Sequence, residues 1–196
     1  DINSDFVVPV PDSGVPAALG YAEQSKKVFE LGLIRNHYVG RTFIEPTQNI
    51  RSLGVKLKLS STKTIVKGKS IILIDDSLVR GTTCHKIVKM LYENGASEVH
   101  VRIACPEIKY PDFYGVDMPT ENELLAHKKN INEMTEYINA KTLKFLSIDG
   151  LYKALAGAKR NDNYPQFSDH YFTGDYPIKP ADKLKGLKIK QLSLLS

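Results

Sequence analysis

The chain has 196 residues, a length that one α/β domain can fill while still burying a sizeable core. Apolar residues make up 42% and charged residues 25%, an ordinary globular composition that argues against disorder over most of the chain. The net charge of +5 at pH 7 leaves nucleic acid, a membrane surface and a polyanionic small molecule open as partners, because composition alone does not separate them.

The first elements are predicted as strand, loop and helix: an apolar run from Phe6 to Val10, a turn from Pro11 to Gly14, and apolar residues at helical spacing from Val15 to Ser25. A second strand is predicted from Val28 to Ile34. The following stretch, Asn36 to Lys69, is rich in Arg, Lys, Thr and Ser and has weak periodicity. An irregular segment of this length inside a compact domain indicates a functional flap or disorder.

An apolar, isoleucine-rich run from Ser70 to Ile74 predicts a central parallel strand that is buried on both faces. A helix should follow it, with Thr82 or Thr83 as its N-cap and Asn94-Gly95 as a left-handed C-terminus. Glu98 to Ala104 then predicts another strand. These βαβ units predict an α/β fold with a mainly parallel, right-handed sheet and helices on both faces.

The rest of the chain is predicted to complete this domain and then to leave it. The predicted elements are helices at Thr120–Lys128 and Ile131–Asn139, a strand at Thr142–Ile148 and a helix at Asp149–Leu155. We therefore expect a domain over residues 1–156 and an extended, polar C-terminal extension over residues 157–196.

The two cysteines, Cys84 and Cys105, are too few for a disulfide framework and lack the paired spacing of a structural zinc site. A reducing cytoplasm is the expected location. No apolar run approaches the length of a membrane span, and Asp1 to Asp5 do not form the charged start of a secretion signal. Because the sequence does not begin with methionine, we also expect that an upstream part is missing.

Two acids and a hydroxyl-rich turn stand where an open parallel sheet binds its ligands, just past the carboxyl end of a strand. Asp75 and Asp76 would repel each other there unless a cation or a set of hydroxyls used them, and hard oxygen ligands suit Mg²⁺ that is shared with phosphate. Ser77 to Thr83 leads into a helix N-terminus, which favours a phosphate, and Gly81 allows close approach. Taken singly, the pair of acids and the hydroxyl-rich turn are each common in helix-capping turns. Taken together, the acids and the helix N-terminus are separated by a distance that matches the size of ribose 5-phosphate.

The thirteen residues from Ile71 to Thr83 resemble the signature of the type I phosphoribosyltransferases. The similarity extends further, since Asn36 to Pro46 resembles the flexible catalytic loop of the glutamine phosphoribosylpyrophosphate amidotransferases. Pro9 to Ser13, Gly54 to Leu59 and Tyr114 to Met118 also resemble that family, and the likeness covers roughly residues 5 to 180.

The resemblance implies the type I phosphoribosyltransferase fold with a long flexible catalytic loop. It also implies a pentosyltransferase of purine biosynthesis in which ammonia displaces pyrophosphate from phosphoribosyl pyrophosphate (PRPP) to give 5-phosphoribosylamine, with Mg²⁺ as cofactor. Such an enzyme needs electrostatic stabilisation and exclusion of water and not a protein nucleophile. Purine nucleotide inhibitors and a homo-oligomer are further expectations. The residues implied for catalysis are Arg41, Lys56 and Lys58; for substrate binding Asp12, Ser13, Tyr38, Asp75, Asp76, Ser77, Arg80, Gly81, Thr82 and Thr83; and for the metal Asp75 and Asp76.

The sequence departs from the family pattern at several points. Nothing in the sequence corresponds to the glutaminase domain of the complete enzymes. We therefore expect this chain to use free ammonia, unless a separate glutaminase domain or chain supplies the ammonia. No iron–sulfur cluster is expected, because Tyr110 to Phe113 and Asn163 to Tyr171 contain no cysteine. Gly14 stands where many relatives have a metal-contacting serine, and His37 where the loop usually has arginine.

Two alternatives remain beside the enzyme. One is a non-catalytic module of the same fold that senses PRPP or nucleotides, which would have little need of Arg41, Lys56 and Lys58. The other is nucleic-acid binding through the basic tail from Lys179 to Lys190, which lacks interleaved aromatic residues and is not favoured. We expect no nucleic-acid partner and no membrane association.

Overall fold

The computed structural model describes residues 2–35, 59–116 and 120–178. The strands in these ranges are β1 (Phe6–Pro9), β2 (Val28–Phe29), β3 (Leu33–Arg35), β4 (Leu59–Ser61), β5 (Ser70–Asp75), β6 (Glu98–Ile103) and β7 (Thr142–Phe145). The α-helices are α1 (Val15–Ser25), α2 (Lys63–Val66), α3 (Thr82–Glu93), α4 (Leu125–Lys128), α5 (Ile131–Tyr137), α6 (Ile148–Ala156) and α7 (His170–Thr173), with a 3₁₀ turn at Glu121–Glu123.

The central sheet has five strands in the order β2-β1-β5-β6-β7, and every neighbouring pair is parallel. The predicted parallel α/β architecture is therefore confirmed. The register pairs Pro9 with Ile74 and Asp75 with Ile103, so the carboxyl ends of β1, β5 and β6 meet at one edge of the sheet.

The core lies on both faces of β5, as its apolar sequence predicts. Ile71, Ile72, Leu73 and Ile74 are all at most 2% exposed. Ile71 and Leu73 belong to the larger apolar cluster with the inner face of α3, whereas Ile72 and Ile74 belong to the cluster with Val7 and α1. Each such burial stabilises the fold by about 1.5–3 kcal/mol, which fixes the strand that precedes the two acids.

Some predicted element boundaries are wrong. The single strand expected from Val28 to Ile34 is two strands in different sheets, because β3 pairs antiparallel with β4 and not with β1. Gly32 lies at the change of direction, where its carbonyl accepts the Thr62 N–H at 3.0 Å. The predicted strand from Thr142 to Ile148 ends at Phe145, because the Ser147 side chain caps α6 by accepting the Gly150 N–H.

Residues 157–178, the described part of the predicted C-terminal extension, contact the loop after β6. Lys109 and Tyr110 donate their N–H groups to the Tyr171 carbonyl at 2.8 and 3.0 Å, and buried His170 bonds to the Asp112 carboxylate at 2.8 Å. Buried Asp169 accepts from Arg160 and from the Tyr152 hydroxyl. The domain boundary after residue 156 stays a prediction. None of the described helices has the length and apolar character needed to cross a membrane.

Candidate active site

Two loops lie side by side at the carboxyl edge of the sheet. The first follows β1 and contains Asp12 and Ser13; the second follows β5 and contains Asp76 to Gly81. The Val10 N–H donates to the Ile74 carbonyl at 2.8 Å, which ties the start of the first loop to the end of β5. The structure therefore brings together two sets of predicted site residues that are far apart in the sequence.

Gly14 closes the first loop where there is no room for a side chain. A Cβ atom at this position would lie 2.4 Å from the Ile74 carbonyl oxygen and 2.9 Å from that of Val10. The Gly14 N–H donates to the same Val10 carbonyl at 2.9 Å, so the close approach belongs to the turn itself. A serine does not fit this backbone, which gives a physical reason for a glycine at this position.

Asp75, the last residue of β5, and Asp76, the first residue of the loop that follows, lie in different environments. Asp75 is 8% exposed, whereas Asp76 is exposed. Burial and then the neighbouring Asp76 carboxylate raise the pKa of Asp75 from 3.8 to about 7, while the Asp76 N–H, which donates to Asp75 Oδ1 at 3.0 Å, partly opposes this. Two adjacent carboxyls, one of them buried, form a site whose charge a cation would neutralise.

The second loop ends at the N-terminus of α3, which begins differently from the prediction. Gly81 and not a threonine is the N-cap, in a left-handed conformation with φ +75°, and no side chain caps the helix there. Thr82 and Thr83 stand instead in the first turn. The first backbone N–H groups of a helix have no intrahelical acceptor, so those of Thr82 and Thr83 are available to an anion.

The remaining predicted residues of this loop lie around that helix end. The Ser77 hydroxyl donates to Asp76 Oδ1 at 3.0 Å. Arg80 is 53% exposed in its side chain and its Nε donates to Glu123 Oε1 at 3.1 Å. Hydroxyl, guanidinium and backbone donors thus accompany the two acids within a single loop.

Arg35 lies beside this candidate site, although it was not among the predicted site residues. It ends β3 and forms an ion pair with Asp12 of the first loop, while its Nε is buried without a hydrogen-bond partner in the described part of the chain. The peptide bond between Pro11 and Asp12 is cis. The available signal was positional, because Arg35 directly follows the strand predicted from Val28 to Ile34, and strands of an open parallel sheet carry ligand-binding residues just past their carboxyl ends.

Four predicted site residues, Tyr38, Arg41, Lys56 and Lys58, lie outside the described residues, and their roles stay predictions. The surroundings of both cysteines disfavour a nucleophilic role. Cys84 is 3% exposed and burial raises its pKa strongly; burial also raises the pKa of the Cys105 thiol to about 12. A thiol with such a pKa carries almost no thiolate near pH 7.

The acids suit Mg²⁺ better than a metal held by the protein alone. Within the described ranges, no group of three or more His, Cys, Asp or Glu side chains is arranged around one point. Mg²⁺ is commonly held by one or two carboxylates together with substrate phosphates and water, and Asp75 with Asp76 supplies that number.

A cavity of about 440 Å³ at the ends of β6 and β7 is lined by none of the predicted site residues.

Comparison with known proteins agrees with this geometry. Residues 1–114 match the family model of the phosphoribosyl transferase domain. The chain is 56% identical over 196 residues to the amidophosphoribosyltransferase of Rhizobium etli, which covers all of the chain and 40% of that protein. It is 51% identical over 185 residues to the chloroplastic amidophosphoribosyltransferase 2 of Arabidopsis thaliana, covering 94% of the chain and 32% of that protein.

A solved structure shows the same fold. Glutamine PRPP amidotransferase from B. subtilis, complexed with ADP and GMP, superposes with a TM-score of 0.78 at 48% identity, covering 90% of the chain and 38% of that protein. The chain therefore spans about two fifths or less of the length of these relatives. The predicted type I phosphoribosyltransferase fold and the resemblance to the amidotransferases are confirmed, and the chain belongs to the phosphoribosyl transferase domain family.

Proposed function

We propose that the chain is the phosphoribosyl-transferring part of an amidophosphoribosyltransferase of purine biosynthesis, in which ammonia displaces pyrophosphate from C1 of PRPP to give 5-phosphoribosylamine. The observation that carries the proposal is the pairing of buried Asp75 and exposed Asp76 with the uncapped N-terminus of α3 at one sheet edge. The similarity to proteins described as amidophosphoribosyltransferases supports it.

The two ends of this loop fit the two ends of a phosphorylated ribose. The backbone N–H groups of Thr82 and Thr83, with the helix dipole behind them, bind the 5-phosphate, and Gly81 lets that phosphate approach the main chain. Asp75 and Asp76 accept hydrogen bonds from the ribose hydroxyls. Holding the sugar at both ends orients C1 toward the first loop, where the pyrophosphate would lie.

The departing pyrophosphate needs positive charge. Arg35 lies beside Asp12 at the first loop and can turn to the pyrophosphate when the substrate binds. Arg41, Lys56 and Lys58 are proposed to add charge and to exclude water when their loop closes over the site. Mg²⁺ held by Asp75 and Asp76 would supply further neutralisation of the phosphate oxygens.

The residues proposed to bind PRPP would also suit other molecules that contain a 5-phosphorylated ribose. Purine nucleoside monophosphates carry a 5-phosphorylated ribose, so we propose that they compete with PRPP for the loop. We also propose a homo-oligomeric assembly and a glutaminase domain or chain as the source of ammonia in the complete enzyme.

The test supplies ammonia directly. The protein is incubated with PRPP, Mg²⁺ and ammonium at alkaline pH, and pyrophosphate release is followed for the wild type, Asp76→Asn and a control, Asp149→Asn, which changes an exposed acid outside the site. We expect release by the wild type and the control, and a loss of at least tenfold in Asp76→Asn.

Binding of PRPP without release would refute the enzyme and favour the sensing module. Alanine variants of Arg41, Lys56 and Lys58 separate the two functions further. If the chain is an enzyme, these variants should keep PRPP binding and lose pyrophosphate release. If it is a sensor, they should also bind PRPP normally, but the wild type itself would release no pyrophosphate.

A further inference from the structure

The loop that would hold the 5-phosphate is fixed from outside by one neighbouring segment. The Leu125 N–H donates to the Val79 carbonyl at 2.8 Å, and Arg80 Nε donates to Glu123 Oε1 at 3.1 Å. Residues 121–137, which contain these groups, are here called the brace segment. Successive loop residues therefore contact the same segment.

Gly81 is covered by two side chains of the brace segment. A Cβ atom at Gly81 would lie 2.7 Å from Leu125 Cδ2 and 3.0 Å from Tyr137 Cε1. Leu125 is 7% exposed, whereas Tyr137 is 39% exposed and lies at the C-terminal end of α5. The aromatic ring thus closes the side of the left-handed turn at Gly81.

A second contact joins Tyr137 to the helix that follows the loop. His85, in α3, donates its Nδ1–H to the Tyr137 carbonyl at 2.8 Å, and the two ring centroids are 6.1 Å apart. The Tyr137 main chain and side chain therefore contact positions on both sides of Thr82 and Thr83.

This support matters because α3 has no side-chain cap. The N–H groups of its first turn are left for the ligand, and a loop without its own cap must be ordered either by the phosphate or by its surroundings. Ordering a loop when a ligand binds lowers affinity, and ordering it beforehand removes that loss.

We propose that Tyr137 is a positioning residue for phosphate binding, with His85 assisting it, and that their contacts preorganise Gly81 to Thr83 to receive the 5-phosphate of a sugar phosphate. This inference rests on the proposed function of the loop. It adds a residue that does not touch the substrate and acts through Gly81.

Calorimetric titration with PRPP in the presence of Mg²⁺ tests the inference. We expect Tyr137→Ala to weaken binding about tenfold. Tyr137→Phe should bind like the wild type, because it keeps the ring on Gly81, while both variants keep the main-chain carbonyl that accepts from His85. In turnover, the PRPP KM of Tyr137→Ala should rise by the same factor while kcat stays within about twofold, the pattern of lost uniform binding.

Two further variants protect this test against a mere folding defect. Phe167→Ala removes a ring of similar exposure, 41%, that packs on Tyr152 away from the loop, and it should leave the PRPP affinity unchanged. His85→Ala removes one hydrogen bond to the brace segment and should weaken binding by about threefold even if Tyr137→Ala does not fold.

If the wild type binds PRPP, and His85→Ala and folded Tyr137→Ala bind it with unchanged affinity, this inference is overturned and the proposed function still stands. A wild type that does not bind PRPP would overturn both. Equal loss of kcat in Tyr137→Ala and Phe167→Ala, with unchanged KM, would indicate a purely structural role and also overturn it.

Discussion

Replacing Asp75 by asparagine should make the ligand-free protein more stable while it impairs the site. The Asp75 pKa is raised from 3.8 to about 7 by burial and by the Asp76 carboxylate. Since one pKa unit corresponds to about 1.4 kcal/mol, the ionised Asp75 lowers the free energy of unfolding by about 4 kcal/mol above pH 7. Asparagine keeps an Oδ1 atom that can accept the Asp76 N–H and carries no charge.

The pH dependence follows from the sign of the shift. Because the pKa is higher in the folded state, the stability contributed by the protonated carboxyl is fully present below about pH 3.8 and is lost as pH rises through about 7. The asparagine variant lacks this titration. Its advantage over the wild type should therefore grow by about 1.4 kcal/mol per pH unit from about pH 4 to pH 7 and then level off.

The assay is urea unfolding of both proteins with EDTA at pH 5 and pH 8. We expect a difference of about 1.5 kcal/mol at pH 5 and about 4 kcal/mol at pH 8 in favour of Asp75→Asn. Asp149→Asn, which removes an exposed carboxylate from the first turn of α6, should lower stability by at most about 1 kcal/mol and by a similar amount at both pH values. The same difference between wild type and Asp75→Asn at both pH values would refute the assignment of a raised pKa to Asp75.

Three other outcomes follow from the structure. Gly14→Ala should lower the free energy of unfolding in urea by about 1–3 kcal/mol, because its Cβ meets the Ile74 carbonyl oxygen. Gly20→Ala, in α1 with open space around it, should raise that free energy by about 0.5–1 kcal/mol. Equal effects of the two substitutions would contradict the close approach at Gly14. Arg160→Ala leaves the buried Asp169 carboxylate without its cation and should lower the free energy of unfolding in urea by about 3 kcal/mol. It should also make residues 157–178 susceptible to limited proteolysis. Unchanged stability would show that the ion pair contributes nothing. Removing Mg²⁺ with EDTA should weaken PRPP binding more than tenfold in calorimetry, and undiminished binding would exclude a shared metal at the acids.

The local part of the site could be predicted from the sequence because adjacent residues determine it. The apolar run from Ile71 to Ile74 can only be a buried strand in this setting, and the acids and the glycine that follow it must then lie at the carboxyl edge. The N-cap of α3 was not predicted in this way, because Thr82 or Thr83 was expected and Gly81 is the N-cap. Both residue types cap helices, and the left-handed backbone at Gly81 decides the matter.

The tertiary part of the site could not be predicted, since it depends on contacts between distant segments. Nothing local to Tyr137 indicates that its ring packs on Gly81, and nothing local to Gly14 indicates that the Ile74 carbonyl fills the space for a side chain. The division of the predicted strand from Val28 to Ile34 is of the same kind, because it depends on the pairing of β3 with β4, which are more than twenty residues apart in the sequence.

Equilibrium binding of PRPP tests the central claim, that the loop after β5 holds a magnesium-bound phosphorylated ribose, most directly. Wild-type protein and a double variant, Asp75→Asn with Asp76→Asn, are titrated with PRPP in Mg²⁺ by calorimetry, after urea unfolding has shown that both are folded. Saturable binding by the wild type and a loss of at least tenfold in the double variant are predicted. Equal affinity of the two proteins, or no binding by the wild type, would contradict the claim.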